Sequence, residues 1–324
     1  MKGAWRVLVA VMAAALVAAG GTVALAHDHG KRDDRVFTLR PDPAGNPEGI
    51  AVDKRSRAFF VSITADGAIY RGTLDSDTVA PFIAGAAGRA AVGIRVRRGL
   101  LYVAGGATGA ITVYDLATKQ PVATFQTGTG GFLNDLVVTR RGDVYVTDSF
   151  RPILWHVTAD QVRGGDGAPQ ALDVSGVEYT AGEFNLNGIV AKGSRRLIVV
   201  QTNTGKLFRI ELAADGSALD AIDEVAGVSV PGGDGLLLDR GRLIVVQGGP
   251  PAQLSFVKLQ DGARRGSVRD TLQSDKLDGP STVDRVRGLY LVVNADFANS
   301  ATPFTVAGLR RGHRGSSAST AFGG

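Results

Sequence analysis

The feature that most constrains this chain is a sequence pattern that recurs six times. Its clearest copy, 131–157, has a polar pair followed by three short apolar runs separated by tight turns. Other copies begin at Glu48, Asn187 and Asp234, and fainter ones at Val92 and Pro280. Each copy predicts a group of short antiparallel strands joined by tight connections.

The spacing of the copies indicates the fold. Their first apolar residues are Ile50, Ile94, Leu136, Ile189, Leu236 and Val283, separated by 44, 42, 53, 47 and 47 residues. A period of this length with three or four strands per unit is typical of a β-propeller, and the 3.6-residue pattern of helical repeats is absent. We therefore predict an all-β fold, a six-bladed β-propeller with four-stranded antiparallel blades.

Two further strand-like segments flank the repeats, Val36 to Arg40 before the first and Pro303 to Leu309 after the last. A ring of blades protects its strand edges when a strand from one terminus completes the blade formed by the other. We expect these two segments to pair, which gives one closed domain over residues 34–310. The segment near Ala214 has weak helical character and is interpreted as a blade edge with its loop.

The termini carry other signals. Lys2 and Arg6 precede an apolar run that ends in Ala24-Leu25-Ala26, the pattern of a signal peptide over residues 1–26. This predicts a secreted protein, with a retained membrane anchor as the alternative. Residues 27–33 are predicted to be a flexible leader and 311–324 a disordered tail. The chain has no Cys, so its stability must come from a packed core.

Charge excludes one class of partner. The formal net charge of +5 becomes +3 once Lys2 and Arg6 are removed with the signal peptide. No basic stripe with interleaved aromatic residues is present, so no nucleic-acid partner is expected. After signal cleavage no membrane partner is expected either, and a closed propeller without free edges is predicted to be a monomer.

Oxygen-bearing side chains recur just before the first apolar run of four repeats, at Glu48, Asn134 with Asp135, Asn187 and Asp234. Residues at one repeat position surround the axis of a propeller, so these groups should converge. Two carboxylates and two amides suit a hard divalent cation, with Ca²⁺ preferred and Mg²⁺ or Mn²⁺ possible. Zn²⁺ is disfavoured because three of the four His residues lie near the termini. The competing interpretation is ordinary turn chemistry of Asn-Gly, Asp-Gly and Glu-Gly pairs.

Other polar residues of the third repeat are given structural roles. Asp148 and Ser149 are predicted to shape the turn after its second strand, and His156 is predicted to be a packed strand residue rather than a base. No nucleophile elbow, zinc-protease motif or P-loop occurs in the sequence.

The motifs PEGIAVD, FLNDLVV, GDVYVTDS, LNGIV and GGDGLLLD carry a resemblance. Through them the chain is similar to the SMP-30/gluconolactonase/LRE family of six-bladed propellers, which includes calcium-dependent phosphotriesterases of the diisopropylfluorophosphatase type. The resemblance implies that Glu48, Asn134, Asn187 and Asp234 bind the metal. It also implies that Asp234 is the catalytic base or nucleophile.

One position departs from that family. Sugar-lactone hydrolases of the family often have an Arg two residues before the first Asn, where this chain has Phe132. An aromatic side chain there favours a substrate less polar than an aldonolactone. Substrate contacts are expected from Phe132, Asn134, Phe184 and Asn185, with Phe297 near the same mouth.

These observations predict a secreted, metal-dependent hydrolase of a small molecule, a gluconolactonase-like lactonase. In this mechanism the cation polarises the lactone carbonyl and Asp234 activates water. Two alternatives stay open. One is a calcium-stabilised binding propeller without turnover, and the other is a phosphotriesterase-type hydrolase that uses the same metal site.

Overall fold

A computed structural model describes residues 34–311. The predicted signal peptide 1–26, the leader 27–33 and all but the first residue of the predicted tail 311–324 lie outside the described residues. Within them the secondary structure is almost entirely β-strand.

The strands follow one another closely along the chain. The first half contains β1 (Arg35–Leu39), β2 (Pro47–Val52), β3 (Phe59–Ile63), β4 (Ile69–Gly72), β5 (Thr78–Ile83), β6 (Ile94–Arg97), β7 (Leu100–Ala104), β8 (Ala110–Asp115), β9 (Pro121–Gln126), β10 (Leu133–Val138), β11 (Val144–Asp148), β12 (Ile153–Val157) and β13 (Gln170–Asp173). The second half contains β14 (Leu186–Ala191), β15 (Arg196–Gln201), β16 (Lys206–Leu212), β17 (Leu219–Glu224), β18 (Gly233–Asp239), β19 (Arg242–Gln247), β20 (Gln253–Gln260), β21 (Arg265–Leu272), β22 (Pro280–Val286), β23 (Leu289–Asn294) and β24 (Thr305–Arg310).

The sheets confirm a propeller with four-stranded antiparallel blades. Four sheets have four strands each, in the orders β6 to β9, β10 to β13, β14 to β17 and β18 to β21. A fifth sheet has eight strands in the order β2-β3-β4-β5-β1-β24-β23-β22. Its two halves are joined by a short parallel pairing of β1 with β5, in which Thr38 faces Thr78 and Leu39 faces Val79.

The predicted pairing of the two ends of the domain is confirmed. β1 runs antiparallel to β24 in a register that places Arg35 opposite Gly308 and Thr38 opposite Thr305. The N-terminal strand therefore lies in the same sheet as the last three strands of the chain. This pairing covers the edge that β24 would otherwise expose.

Apolar packing between the repeats accounts for the ring. Each strand has side chains on two faces, and here six clusters of buried apolar residues lie between consecutive repeats, the last between the sixth and the first. In the closing cluster the rings of Phe37 and Phe59 meet edge to face, with centroids 5.2 Å apart. A fully buried side chain of this size contributes about 1.5–3 kcal/mol relative to an exposed one. A single repeat could not bury both of its faces, so stacking around the ring supplies the core.

The segment near Ala214 leads into a strand, β17, as predicted. One short helix was not predicted, α1 (Ala159–Gly164). Thr158 caps it by accepting a hydrogen bond from the Gln161 backbone, and Gln161 caps the Thr158 backbone in return. Six residues are too few to produce a helical period in the sequence. Across residues 34–311, no helix is both long and apolar enough to cross a membrane.

Candidate functional site

The four predicted metal ligands occupy equivalent positions in the first strands of four repeats. In each of these strands the pairing with the second strand shifts register, so that two residues bulge out of the ladder. The first residue of the bulge is Glu48, Asn134, Asn187 or Asp234. The structure therefore places the Glu-Gly, Asn-Gly and Asp-Gly pairs in strands rather than in turns.

The first strands also contact one another in a closed series around the ring, from β2 through β6, β10, β14, β18 and β22 back to β2. A bulge turns a side chain out of its regular alternation in a strand. β22 has the same bulge, at Ser281 and Thr282. The four oxygen-bearing side chains therefore take the same bulge position on strands that belong to one ring.

Glycine at the second bulge position allows this close approach. A Cβ atom on Gly49 would lie 2.3 Å from the Val92 carbonyl oxygen, and one on Gly188 would lie 2.3 Å from that of Asp234. Neither glycine has a positive φ. The requirement is therefore room for the next strand, which a side chain would remove.

Two carboxyl groups of the ring influence each other. Burial raises the pKa of Glu48 well above its ordinary value, and the nearby charges of Asp234 and Asp135 raise it further while Arg95 opposes them. Burial, followed by the charge of Asp135, raises the pKa of Asp234 to about 7, although a hydrogen bond from Asn187 acts in the opposite direction. These mutual effects place Glu48 and Asp234 in one electrostatic environment.

Three buried oxygens of the ring have no hydrogen-bond partner among the described residues: Glu48 Oε2, Asn187 Oδ1 and Asp234 Oδ1. Asp234 is partly exposed as a residue, but this oxygen is not. A buried oxygen without a partner is costly, so three of them at equivalent positions indicate a missing partner. Each is an electron-pair donor of the type that Ca²⁺ prefers, and the residues present therefore fit a hard divalent cation.

The described residues contain no group of three or more His, Cys, Asp or Glu side chains placed to hold a metal ion. The predicted ligand set is not such a group, because only two of its four members are carboxylates and the other two are Asn amides. Its fit to a cation depends on the amide oxygens as much as on the carboxylates.

The two asparagines are oriented by hydroxyl groups. The Asn134 amide nitrogen donates to Ser149 Oγ over 2.9 Å, and the Asn187 amide nitrogen donates to Thr202 Oγ1 over 3.1 Å. Each hydroxyl in turn donates to a backbone carbonyl of the next repeat, Leu186 or Gly233, over 2.7 Å. Ser149 and Thr202 thus fix the amide nitrogens. Ser149 was predicted only to shape a turn, and Thr202 was not predicted.

Asp135 differs from its neighbour Asn134 although the sequence analysis grouped them. It takes the second bulge position, where the neighbouring repeats have Gly, and it is 1% exposed. Its carboxylate accepts from Arg95 Nη2 over 2.8 Å and from the backbone nitrogens of Leu136 and Ile189. Asp135 is therefore a structural ion-pair residue whose charge acts on the ring from one side.

The structure confirms the predicted role of Asp148 in shaping the turn after β11. Its Oδ1 accepts from the backbone nitrogens of Phe132, Phe150 and Arg151 over 2.9 to 3.1 Å. Its Oδ2 accepts from Arg151 Nε over 2.7 Å and from Trp155 Nε1 over 3.2 Å. This carboxylate connects the residue before β10 to the loop after β11.

Phe132, Phe150 and Phe184 form an aromatic cluster beside the ring. Phe184 meets Phe132 edge to face at 5.2 Å and lies 5.1 Å from Phe150, and Phe132 lies 5.6 Å from Phe150. Phe150 and Phe184 are 42% and 45% exposed. Phe132 and Phe184 lie just before Asn134 and Asn187 in sequence, and Phe150 directly follows Ser149. Phe150 was not predicted, because no repeat position marks it.

Three other predicted residues have clear surroundings. Asn185 is buried, donates to the backbone oxygens of Ser149, Thr180 and Glu183, and accepts from the Thr180 backbone nitrogen. These contacts support a role in holding the loop before β14, and a direct substrate contact stays a prediction. Phe297 is 54% exposed and makes no ring contact with the aromatic cluster. His156 is packed as predicted, stacked on Tyr145 at 4.6 Å.

Solved structures share this fold. The chain is similar to a luciferin-regenerating enzyme (13% identity, TM-score 0.61, covering 86% of this chain and 96% of that one). It is also similar to a gluconolactonase from Xanthomonas campestris (19%, 0.58, 86% and 90%) and to virginiamycin B lyase from Staphylococcus aureus (11%, 0.56, 85% and 98%). The resemblance to the SMP-30/gluconolactonase/LRE-like group is thus confirmed in the fold, and at these identities the likeness extends to the fold alone.

Sequence comparisons add no closer relationship. No protein-family model matches the chain, and no curated protein matches it significantly.

Proposed function

We propose that this protein is a metal-dependent hydrolase and that its substrate is a lactone. The observation that supports this most directly is the set of three buried, unpartnered oxygens at equivalent bulges, on Glu48, Asn187 and Asp234. Asn134 completes the ligand set by position. We also propose that the propeller has six blades, with the eight-stranded sheet counted as two.

The cation would be held by Glu48, Asn134, Asn187 and Asp234, with Ca²⁺ preferred over Mg²⁺ and Mn²⁺. When bound, such an ion polarises a carbonyl group and stabilises the negative charge that develops on its oxygen. Thr202 and Ser149 keep the two amide nitrogens turned toward hydroxyl oxygens, which leaves the amide oxygens for the ion. The site is thereby organised before substrate arrives.

Asp234 is the residue proposed to act on water. It is the less deeply buried of the two carboxylate residues of the ring, since Glu48 is 4% exposed. A carboxylate beside a bound cation can accept a proton from attacking water or attack the carbonyl itself.

The aromatic cluster supports a less polar substrate than an aldonolactone. Two of its rings are exposed, and all three belong to segments that adjoin Asn134, Ser149 or Asn187. Exposed aromatic rings bind planar or aliphatic groups through apolar contact. We propose that Phe132, Phe150 and Phe184 contact an aryl or alkyl substituent on the lactone.

The same site could serve two other functions. A phosphotriesterase-type hydrolase would use the same cation and the same apolar cluster on a phosphoryl group. A binding propeller would retain the cation without turnover. For each of the three functions we also propose that the protein is exported through a signal peptide and is a monomer.

The deciding experiment combines metal analysis with an activity screen. Purified protein lacking residues 1–26 is analysed for bound metal and assayed for acid release from panels of lactones and phosphotriesters, with and without chelator. Bound calcium with chelator-sensitive acid release from apolar lactones is the expected result. Acid release from phosphotriesters alone would favour the phosphotriesterase. Bound metal without turnover would favour the binding propeller, and a protein without metal affinity would refute the metal site.

A further inference from the structure

A second feature of the molecule is a groove between the first and second repeats, with a volume of about 1210 Å³. It is bounded by the turns between β2 and β3, between β6 and β7 and between β8 and β9, and by the flank of β4 and β5. Six cationic residues line it: Lys54, Arg55, Arg71, Arg97, Arg98 and Lys119. Two acidic residues, Asp53 and Asp115, also belong to its wall.

The groove concentrates positive charge. Six cations and two carboxylates give it a net charge of +4. Residues 34–311 as a whole contain 31 Lys and Arg and 29 Asp and Glu, a net charge of +2. Outside the groove the described residues carry a net charge of −2, so the groove is a local positive feature rather than part of a uniformly basic protein.

The two acidic residues are committed to the turns. Asp53 accepts from the backbone nitrogens of Arg55 and Ser56 and from the Ser56 hydroxyl. Asp115 accepts from the backbone nitrogens of Ala117 and Thr118 over 2.9 and 2.7 Å. Their oxygens stabilise the bends that carry Lys54, Arg55 and Lys119, and neither carboxylate forms a salt bridge with a described cation.

The six cations of the groove lack salt-bridge partners among the described residues. Within residues 34–311 none of the six forms a salt bridge, whereas Arg95, Arg151, Arg209 and Arg285 each do. Arg97 donates from Nη2 to the Arg140 carbonyl oxygen, but its buried Nε has no partner among the described residues. Buried or clustered guanidinium groups without acceptors favour an anionic ligand.

The aromatic residues of the groove help to define the ligand. Phe60 is 3% exposed and meets Phe82 edge to face at 5.2 Å. The Lys119 ammonium lies 4.7 Å from the centre of the Phe82 ring. Sites for single-stranded nucleic acid present open rings on which bases stack, and these two rings are already in use. The groove therefore favours an anionic chain without bases.

The groove is also remote from the candidate metal site. β2 begins beside Glu48 and ends at Val52, directly before Asp53 of the groove. Five steps along a strand span about 17 Å. The two features lie toward opposite ends of the first strands.

We propose that this groove binds a linear chain of phosphate groups, with inorganic polyphosphate as the model ligand. The planar guanidinium groups of Arg55, Arg71 and Arg98 are suited to phosphate oxygens, and Lys54 and Lys119 supply further charge. Several contacts in a row would hold a flexible polyanion that a single contact would not. This site is independent of the proposed hydrolase function.

The test measures binding of end-labelled polyphosphate by fluorescence anisotropy over a range of salt concentrations. The groove variant is Lys54→Gln with Arg71→Gln, both exposed residues outside any salt bridge. The control variant is Lys258→Gln with Arg265→Gln, two exposed cations of the fifth repeat that also form no salt bridge with described residues. Both variants lose the same net charge. Asp234→Asn is measured alongside.

The groove variant is expected to bind roughly tenfold more weakly at low salt, and its slope of log affinity against log salt should be smaller by about 1.4, or about 0.7 for each lost contact. The control variant should stay within about twofold of wild type, and Asp234→Asn should be unchanged. Equal losses in the groove and control variants would mean that net charge alone is responsible and would overturn the proposal. So would tighter binding of a single-stranded oligonucleotide of equal charge, or no salt-dependent binding by the wild type.

Discussion

Two kinds of buried carboxylate occur in this molecule. Asp148 is completely buried and accepts five hydrogen bonds from backbone nitrogens, Arg151 and Trp155. Glu48 and Asp234 each have a buried oxygen without a partner, and each raises the other's cost of ionisation. Folding alone accounts for Asp148, because its bonds hold a loop. The other pair lowers stability unless something binds, which is the property expected of a ligand site.

This contrast makes Asp234→Asn the most informative variant. We expect turnover of the best lactone to fall by about 10³-fold, since the proposed base is lost while the side chain keeps its shape. In metal-free protein the same change should leave the free energy of unfolding equal or higher, because an unpartnered charge is removed. Activity is measured with the lactone panel and stability by urea unfolding.

The control is Asp166→Asn, the same chemical change at an exposed loop residue. It should alter neither quantity. Retained turnover in Asp234→Asn would show that another group activates water.

Asp148→Ala should have the opposite profile. Removing this carboxylate leaves Arg151 and several backbone nitrogens without their acceptor, and breaking a buried ion pair costs about 3 kcal/mol or more. Urea unfolding is expected to show this loss with or without calcium. If Asp148→Ala were as stable as wild type, hydrogen bonding would not explain the difference between the two kinds of carboxylate.

Calcium should raise the free energy of unfolding by binding the unpartnered oxygens of Glu48 and Asp234. At a free concentration of 100 times the dissociation constant, a ligand that binds only the folded state adds about 2.7 kcal/mol to the free energy of unfolding. We expect this gain in wild type and in Asp148→Ala, and its loss in Asp234→Asn. Thermal or urea unfolding with calcium and with chelator provides the measurement, and an equal gain in all three proteins would place the ion elsewhere.

The affinity for calcium should depend on pH. In the cation-free protein the pKa of Asp234 is about 7, so below this pH the ion must displace a proton to bind. Glu48 must lose its proton as well, and its pKa is also raised well above the ordinary value by burial and by the nearby carboxylates. The apparent affinity should therefore rise as pH increases, by at least roughly tenfold for each unit below 7, and keep rising until both carboxylates are ionised. Calorimetric titration at several pH values tests this, and an affinity independent of pH from 5.5 to 8 would contradict it.

The smallest effect is expected at the aromatic cluster. Phe150→Ala should raise KM for an aryl-substituted lactone about tenfold, with little change in kcat, because the ring is proposed to bind the substituent in the ground state and transition state alike. An unsubstituted lactone should be affected less. Phe297→Ala is the matched control, since Phe297 is also exposed but makes no ring contact with the cluster. Equal effects of the two variants would argue against the subsite.

Much of the fold could be predicted from the sequence. Alternating apolar runs and turns repeat within each unit, so the strands from β2 onward follow from local patterns. The pairing of β1 with β24 was predictable because strand-like segments flank the repeats. The positions of Glu48, Asn134, Asn187 and Asp234 were found from recurrence at one register. Their equivalence is borne out by the bulges, whereas their metal ligation stays a prediction.

Other features depended on residues far apart in the chain. Whether a buried oxygen has a partner is decided by the neighbouring repeat, as when Ser149 and Thr202 orient amides and donate to the next strand. Asp135 was grouped with Asn134 because the two polar residues are adjacent in the sequence. The bulge gives their side chains different partners, Arg95 for Asp135 and Ser149 for Asn134. Phe150 joined the aromatic cluster through contact with Phe184, 34 residues away.

The sequence by itself therefore determined the repeat, the strands and the ring of polar positions, because these depend on periodicity and on chemistry that adjacent residues carry. Only the tertiary structure decided which buried carboxylates have hydrogen-bond partners and which do not, and it alone assembled the cations of the groove from separate turns and strands. The physical reason is that burial, hydrogen bonding and electrostatic coupling act across space between repeats.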